Sequence, residues 1–168
     1  MPEPELAAIV TAAQSGDTMA MNALLDELAP YVGRICGGIA LDQGDDATQE
    51  ALIAVLRNIG GLREPEAVRG WARTIATREA VRVARRGRRE TPVDTLDERV
   101  PAHGDATTVV EIRDQLARLE PEHRAVLVLR DLEGLDEASV ASLLDVPTGT
   151  VKSRLHRARA RFREGWSL

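Results

Sequence analysis

Apolar residues recur along most of this chain at intervals of three and four, the period of a helix that turns one face away from water. Leu6, Ile9, Val10 and Ala13 set that pattern over residues 3–15, and Gly16-Asp17 supplies a stop and then a cap for the next helix. A second stretch carries Leu24, Leu25 and Leu28 before Pro30, and Val32, Ile35, Cys36 and Ile39 after it. Beyond the turn Asp42-Gln43-Gly44, a third helix opens on Asp45 and Asp46, acids that suit the positive end of a helix dipole. It runs to Gly60-Gly61, with Leu52, Ile53, Leu56 and Ile59 expected inward. Pro65 fits the first turn of a fourth helix, whose Val68, Trp71, Ala72, Ile75 and Ala76 form one stripe and which ends near Glu90.

The helical period lapses from Thr91 to Thr108, TPVDTLDERVPAHGDATT, where two prolines, a glycine and an excess of acids predict a flexible acidic linker over 91–108. Helical spacing resumes from Val109 to Leu119, and Pro121 fits the start of a helix carrying Ala125, Val126 and Leu129. Residues 136–144, DEASVASLL, predict a short helix capped by Asp136. The turn Asp145-Val146-Pro147 and a last helix from about Thr148 to Arg163 follow it. A short helix, a tight turn and a basic helix make a helix-turn-helix. The expected fold is all-α, with a helical domain over 1–90 and a helix-turn-helix domain over 109–168.

Composition narrows the chemistry. The 168 residues are 43% hydrophobic, enough for one ordinary core or two small ones. Tyr31, Trp71, Phe162 and Trp166 are the whole aromatic complement, so Leu, Val, Ile and Ala must fill those cores. The single cysteine, Cys36, excludes an internal disulfide, and with His103, His123 and His156 scattered it offers no metal-ligand spacing. No metal and no cofactor is expected. No Ser/His/Asp set or phosphate loop is present, so no catalytic residue is assigned and the chain is not expected to be an enzyme. No apolar run approaches the roughly 20 residues of a membrane span, and the opening MPEPE lacks a basic segment. A cytoplasmic protein without membrane insertion is expected, with no sensory domain beyond the last helix.

The net charge of −5 hides a segregation. Residues 1–60 balance at −7, 61–90 at +5, 91–150 at −8 and 151–168 at +5. Two arginine-rich blocks in an acidic chain would grip a polyanion at two places while the remaining surface avoids it. Nucleic acid is the candidate; arginines that only decorate solvated helix ends and complement helix dipoles are the alternative.

In the last helix Val151, Leu155, Ala158 and Phe162 fall on one side, at i, i+4, i+7 and i+11. Ser153, His156 and Arg157 therefore face away, flanked by Lys152 and Arg154. That set combines long donors for base edges and phosphates with small polar residues for close approach. Thr148 and Thr150 stand near the helix start, where hydroxyls and backbone N–H groups would meet phosphate. Residues 119–164, and the run GTVKSRLHRAR above all, resemble region 4 of the sigma-70 family of bacterial RNA polymerase sigma factors, in its extracytoplasmic-function branch. The resemblance implies that Lys152, Ser153, Arg154, His156 and Arg157 read the minus-thirty-five promoter element. Asp145 stands at a turn position where that family usually has Gly; Asp tolerates the left-handed conformation better than most residues.

Residues 20–89 are similar to sigma region 2, more loosely. GDDATQEALIAVLR, residues 44–57, resembles the helix that binds the polymerase clamp, which implies Asp45, Asp46, Gln49, Glu50 and Ile53 as the core-polymerase contact. Asp46, Gln49, Glu50 and Ile53 share one helix face, so acids and an amide sit beside an apolar contact. VRGWARTIATREAVRVARRGRR, residues 68–89, resembles the segment that opens promoter DNA at the minus-ten element, implying Trp71, Arg73, Thr77, Arg78, Arg82, Arg85, Arg86 and Arg89. Arg78, Arg82, Arg85 and Arg89 form a stripe at i, i+4, i+7 and i+11 suited to a phosphate backbone. Trp71 would either stack on an unpaired base or lie in the core stripe of Val68 and Ile75. Arg78 and Arg82 replace the family's usual Asn and Asp, so base preference at those two positions does not carry over.

The resemblance thus implies a sigma factor with core RNA polymerase and promoter DNA as partners. Many members of that family are held inactive by an anti-sigma factor, a partner no residue here names. The competing expectation is a stand-alone helix-turn-helix regulator that binds operator DNA, which would have no use for the acidic face at Asp46 and Glu50.

Overall fold

The computed structural model describes residues 1–90 and 105–166, and among them every regular element is a helix. The chain divides into two compact units, Met1–Val83 and Ala84–Leu168, with the division inside a helix. The residues expected to form the linker lie outside the described ones up to 104.

In the first unit α1 (Glu3–Gln14) stops at Gly16, whose φ of 93° needs a residue without Cβ. Asp17 then caps α2 (Thr18–Ala40), accepting from the Ala20 amide at 3.0 Å. This helix continues through Pro30, which is exposed, and buries Leu24, Leu28, Val32, Ile35 and Ile39. It is the hub of the unit. Arg69 of α4 (Val68–Glu90) reaches its Glu27 at 2.8 Å, and the Cys36 thiol donates to the Ala76 carbonyl of α4 at 3.7 Å. Burial pushes that thiol up to about 11, which makes it an inert packing group. Gln14 closes the other side, its amide donating to the carbonyls of Ile59 and Leu62.

Two details correct the expected pattern. Helix α3 (Gly44–Asn58) buries Ala47, Ala51 and Val55, followed by Ile59 just beyond its end, while Ile53 and Leu56 stay 43% and 46% exposed and Leu52 is only half-buried. The small residues face inward because α3 is pressed against α2. A Cβ on Gly44 would lie 2.9 Å from the Gly37 Cα, closer than backbone atoms can yield. Pro65 opens a 3-10 turn, Pro65–Ala67, that leads into α4 rather than belonging to it. On α4 the inward stripe is Val68, Ala72, Ala76, Ala80 and Val83, with Trp71 and Ile75 half-buried at its edge.

In the second unit α5 (Asp105–Ala117) begins four residues before the expected start at Val109. After it come α6 (Pro121–Leu127), a π-helical turn over Val128–Leu132, α7 (Glu137–Leu144) and α8 (Thr148–Trp166). Asp136 caps α7 by accepting from the Ser139 amide at 2.7 Å. Val126, Leu129, Val140, Ala141, Leu143, Val151 and Leu155 form one core shared by α6, α7 and α8. Each large member contributes about 1.5–3 kcal/mol by leaving water. That core sets the short α7 against α8 with only Asp145, Val146 and Pro147 between them, the arrangement that exposes one face of α8.

Candidate nucleic-acid and protein interfaces

The face of α3 expected to meet a protein partner is in solvent. Asp45, Asp46, Gln49 and Ile53 are exposed, and Glu50 is half-buried. The residues alternate with the buried Ala47, Ala51 and Val55, so the packing against α2 turns the carboxylates and Ile53 outward together. Leu56, one turn beyond Ile53, widens the apolar strip, although its helical spacing suggested an inward position. An exposed Ile–Leu pair beside carboxylates and an amide is chemically suited to a basic partner that carries its own apolar contact.

On α4, Arg78, Arg82, Arg85, Arg86 and Arg89 are exposed. Thr77 is not: it is fully buried, and its hydroxyl has no partner among the described residues, so its side chain is turned away from any DNA met from solvent. In the chain alone it is therefore in the core rather than on the surface expected to meet DNA. Arg73 is half-buried with its Nε enclosed. Trp71, half-buried, belongs wholly neither to the core nor to the surface. Arg82 is also engaged. Its Nε donates to Glu79 at 2.9 Å and its Nη2 to Glu50 of α3 at 3.2 Å, so one carboxylate of the α3 face is already neutralised by the basic stripe. The interaction is half exposed and worth no more than about 1 kcal/mol. Glu79, three residues before Arg82, was a readable partner; Glu50 was not.

On α8, Val151, Leu155 and Ala158 are buried and Phe162 is half-buried, as the spacing required. Thr148, Lys152, Ser153, His156 and Arg157 are exposed, and Thr150 and Arg154 are half-buried. The Ser153 hydroxyl donates to the Thr150 carbonyl at 3.0 Å, and Lys152 lies 3.7 Å from Glu137 of α7. Arg159 is held by Asp131 of the π-helical turn, its Nη2 at 2.5 Å from Oδ1. Asp145 adopts φ 54° and ψ 49° at the end of α7, the left-handed geometry the turn requires. Sequence reasoning missed Arg124. It is buried and donates to the carbonyls of Leu116 and Leu119, at 3.2 and 2.7 Å, closing the end of α5. Burial pushes its guanidinium down to about 10, which leaves it charged at neutral pH. Among the described residues no group of His, Cys, Asp or Glu would hold a metal ion, and no helix is long and apolar enough to cross a membrane.

An all-helical pair of units, one carrying an acidic-apolar helix beside an arginine helix and the other a helix-turn-helix, has its counterpart in known proteins. Residues 20–90 match the family model for sigma-70 region 2, and residues 110–162 match that for sigma-70 region 4. The chain belongs to the sigma-70 family. Its relatives include the ECF RNA polymerase sigma factor SigE of Mycolicibacterium smegmatis, 34% identical over 166 residues that cover 89% of this chain and 64% of that protein. Another is the ECF RNA polymerase sigma factor SigL of Mycobacterium tuberculosis, 32% identical over 89% of this chain and 90% of that protein. The chain thus spans a little under two thirds of the length of SigE. Among solved structures, the sigma factor RpoE from Bartonella quintana, crystallised with the anti-sigma factor NepR, has the same fold: TM-score 0.65 at 20% identity, covering 88% of this chain and 96% of that one.

Proposed function

We propose that this chain is a promoter-specificity subunit of bacterial RNA polymerase: it binds the core enzyme and directs initiation at its own class of promoter, without catalysis of its own. In this reading residues 1–90 hold the core enzyme through the exposed face of α3 and meet the minus-ten element through α4. The segment between α4 and α5 acts as the tether, and the unit from α5 onward meets the minus-thirty-five element through α8. The protein works in the cytoplasm. An anti-sigma protein is a further expected partner, since the RpoE structure of like fold carries one.

The observation that carries the reading is the α3 face, where Ile53 and Leu56 remain in water beside Asp46, Gln49 and Glu50. A regulator that acts on operator DNA alone has no use for such a surface, whereas a subunit that must dock on a larger enzyme does. The acidic body fits the same scheme, because it weakens binding to DNA until the chain is positioned by polymerase. The test is reconstitution with purified core polymerase, followed by run-off transcription across genomic DNA. The expected result is a stable complex and initiation at a discrete promoter set. A chain that neither binds core nor directs initiation anywhere refutes the proposal.

A further inference from the structure

Helix α1 precedes the stretch that matches sigma-70 region 2, residues 20–90, yet it is built into the same compact unit. Leu6, Val10 and Ala13 are its buried face. Its last residue, Gln14, reaches a different element. The Gln14 side-chain amide donates to the carbonyls of Ile59 and Leu62, at 2.9 and 2.7 Å, 45 and 48 positions further along the chain. Both N–H donors of one amide are thereby spent on the segment that connects α3 to α4.

That connector, residues 59–67, has little else of its own to hold it. Two 3-10 turns, Ile59–Gly61 and Pro65–Ala67, flank backbone that is extended at Leu62 and Glu64. Gly60 and Gly61 are exposed, and a Cβ on either would meet nothing within 4 Å. Arg63, Glu64, Glu66 and Ala67 are exposed as well, so within the connector only Ile59 is buried. Its backbone bonds are short-range, from the Leu62 amide to the Ile59 carbonyl at 3.1 Å and from the Ala67 amide to the Glu64 carbonyl at 2.9 Å. The two Gln14 bonds bracket the glycine pair and fix its conformation from outside.

We propose that Gln14 is a positioning residue for promoter opening, acting through the connector of α3 and α4. This rests on the reading of the chain as a promoter-specificity subunit, in which α3 meets polymerase and α4 meets the minus-ten element. The connector leads directly into Val68 and, one turn later, Trp71 of α4. An exposed segment with two glycines is costly to order at the moment DNA engages the helix it feeds. Held beforehand by Gln14, it is already ordered in the free chain, and that cost no longer opposes the opening step.

The experiment uses the full chain, core polymerase and one promoter recovered by run-off with the unaltered chain. Gln14→Glu keeps the size of the side chain but removes both donors and sets a carboxylate against two carbonyls; Gln14→Lys restores a donor of similar reach. Gln14→Ala removes the donors without adding charge and repeats the measurement if the carboxylate disturbs the helix. At saturating chain and well below the melting temperature, Gln14→Glu should slow promoter opening, read by a fluorescent base in the minus-ten element, by about tenfold, the scale of one or two lost hydrogen bonds. Affinity for core polymerase should stay unchanged, and Gln14→Lys should recover most of the rate. Amide hydrogen exchange in the chain alone should quicken at Gly60, Gly61 and Leu62 and stay the same at Ala76 and Ala80, in the buried stripe of α4. An unchanged opening rate in both donor-free variants refutes the role. Core affinity lost in step with opening, or exchange quickened throughout the unit, in both variants would show that Gln14 only supports the fold, and refutes it too. Each of these results leaves initiation by the unaltered chain standing; if that initiation fails, the proposed function falls and this role with it.

Discussion

Asp145 shows how much one backbone angle can decide. Its φ of 54° lets the chain reverse between α7 and α8, and the Val146 amide then returns to the Ala141 carbonyl at 3.0 Å. For a residue with an ordinary Cβ that conformation costs about 1–2 kcal/mol, less when a short polar side chain bonds locally. Asp145→Ala is therefore expected to lose about 1 kcal/mol of stability, and Asp145→Gly to lose nothing. Urea denaturation of the three proteins checks this, and equal midpoints for Ala and Asp would show that the turn is not strained. The short capped helix, the Asp-Val-Pro turn and the basic helix made this geometry legible in the sequence. Leu41 is the opposite case. It holds φ 53° between α2 and α3, yet nothing in a leucine announces a positive φ, because that angle is imposed by how closely the two helices must approach.

Between elements, the seam of α2 and α3 explains why the inward face of α3 is misleading in the sequence while its outward face is legible. Leu52, Ile53, Leu56 and Ile59 satisfy a helical period as well as Ala47, Ala51, Val55 and Ile59 do, and pattern alone favours the larger residues. The close approach of Gly44 to Gly37 decides otherwise, since only small side chains fit where backbones nearly touch. Gly44→Ala should therefore destabilise the protein by about 1–3 kcal/mol through overpacking, despite the better helix propensity of alanine. Gly33→Ala in α2, whose Cβ would meet only the Thr48 hydroxyl at 4.0 Å, should be neutral or stabilising by up to about 1 kcal/mol. Thermal melts separate the two, and a harmless Gly44→Ala would mean that the seam is loose. The same displacement of large residues to the outside is what leaves Ile53 and Leu56 available to a partner.

Across the whole molecule, the two arginine blocks are legible as charge balance along the sequence, but the cross-links between elements are not, because they depend on which helices become neighbours. The Arg82–Glu50 interaction is the one with functional weight: it joins a residue of the stripe proposed to meet DNA to a residue of the helix proposed to meet polymerase, within the first unit. Glu50 thus arrives at its partner partly neutralised, whereas Asp46, on the same face and exposed, does not share that contact. Charge reversal at Asp46 is accordingly the sharper probe. Asp46→Arg should weaken binding to core polymerase by several kcal/mol, because a like charge is forced against a basic surface. Glu50→Gln should weaken it less, by about 1 kcal/mol or under, since the carboxylate lost was already shared with Arg82. Neither change should lower helix content, and Glu50→Gln should leave duplex binding by the chain alone unchanged or slightly stronger, as Arg82 loses one of its two restraints. Titration of labelled chain into core enzyme, with a parallel duplex titration, measures both. Core affinity unchanged in Asp46→Arg would remove α3 from the interface, and a larger loss from Glu50→Gln than from Asp46→Arg would show that the pair with Arg82, rather than the open acidic face, is what the polymerase recognises.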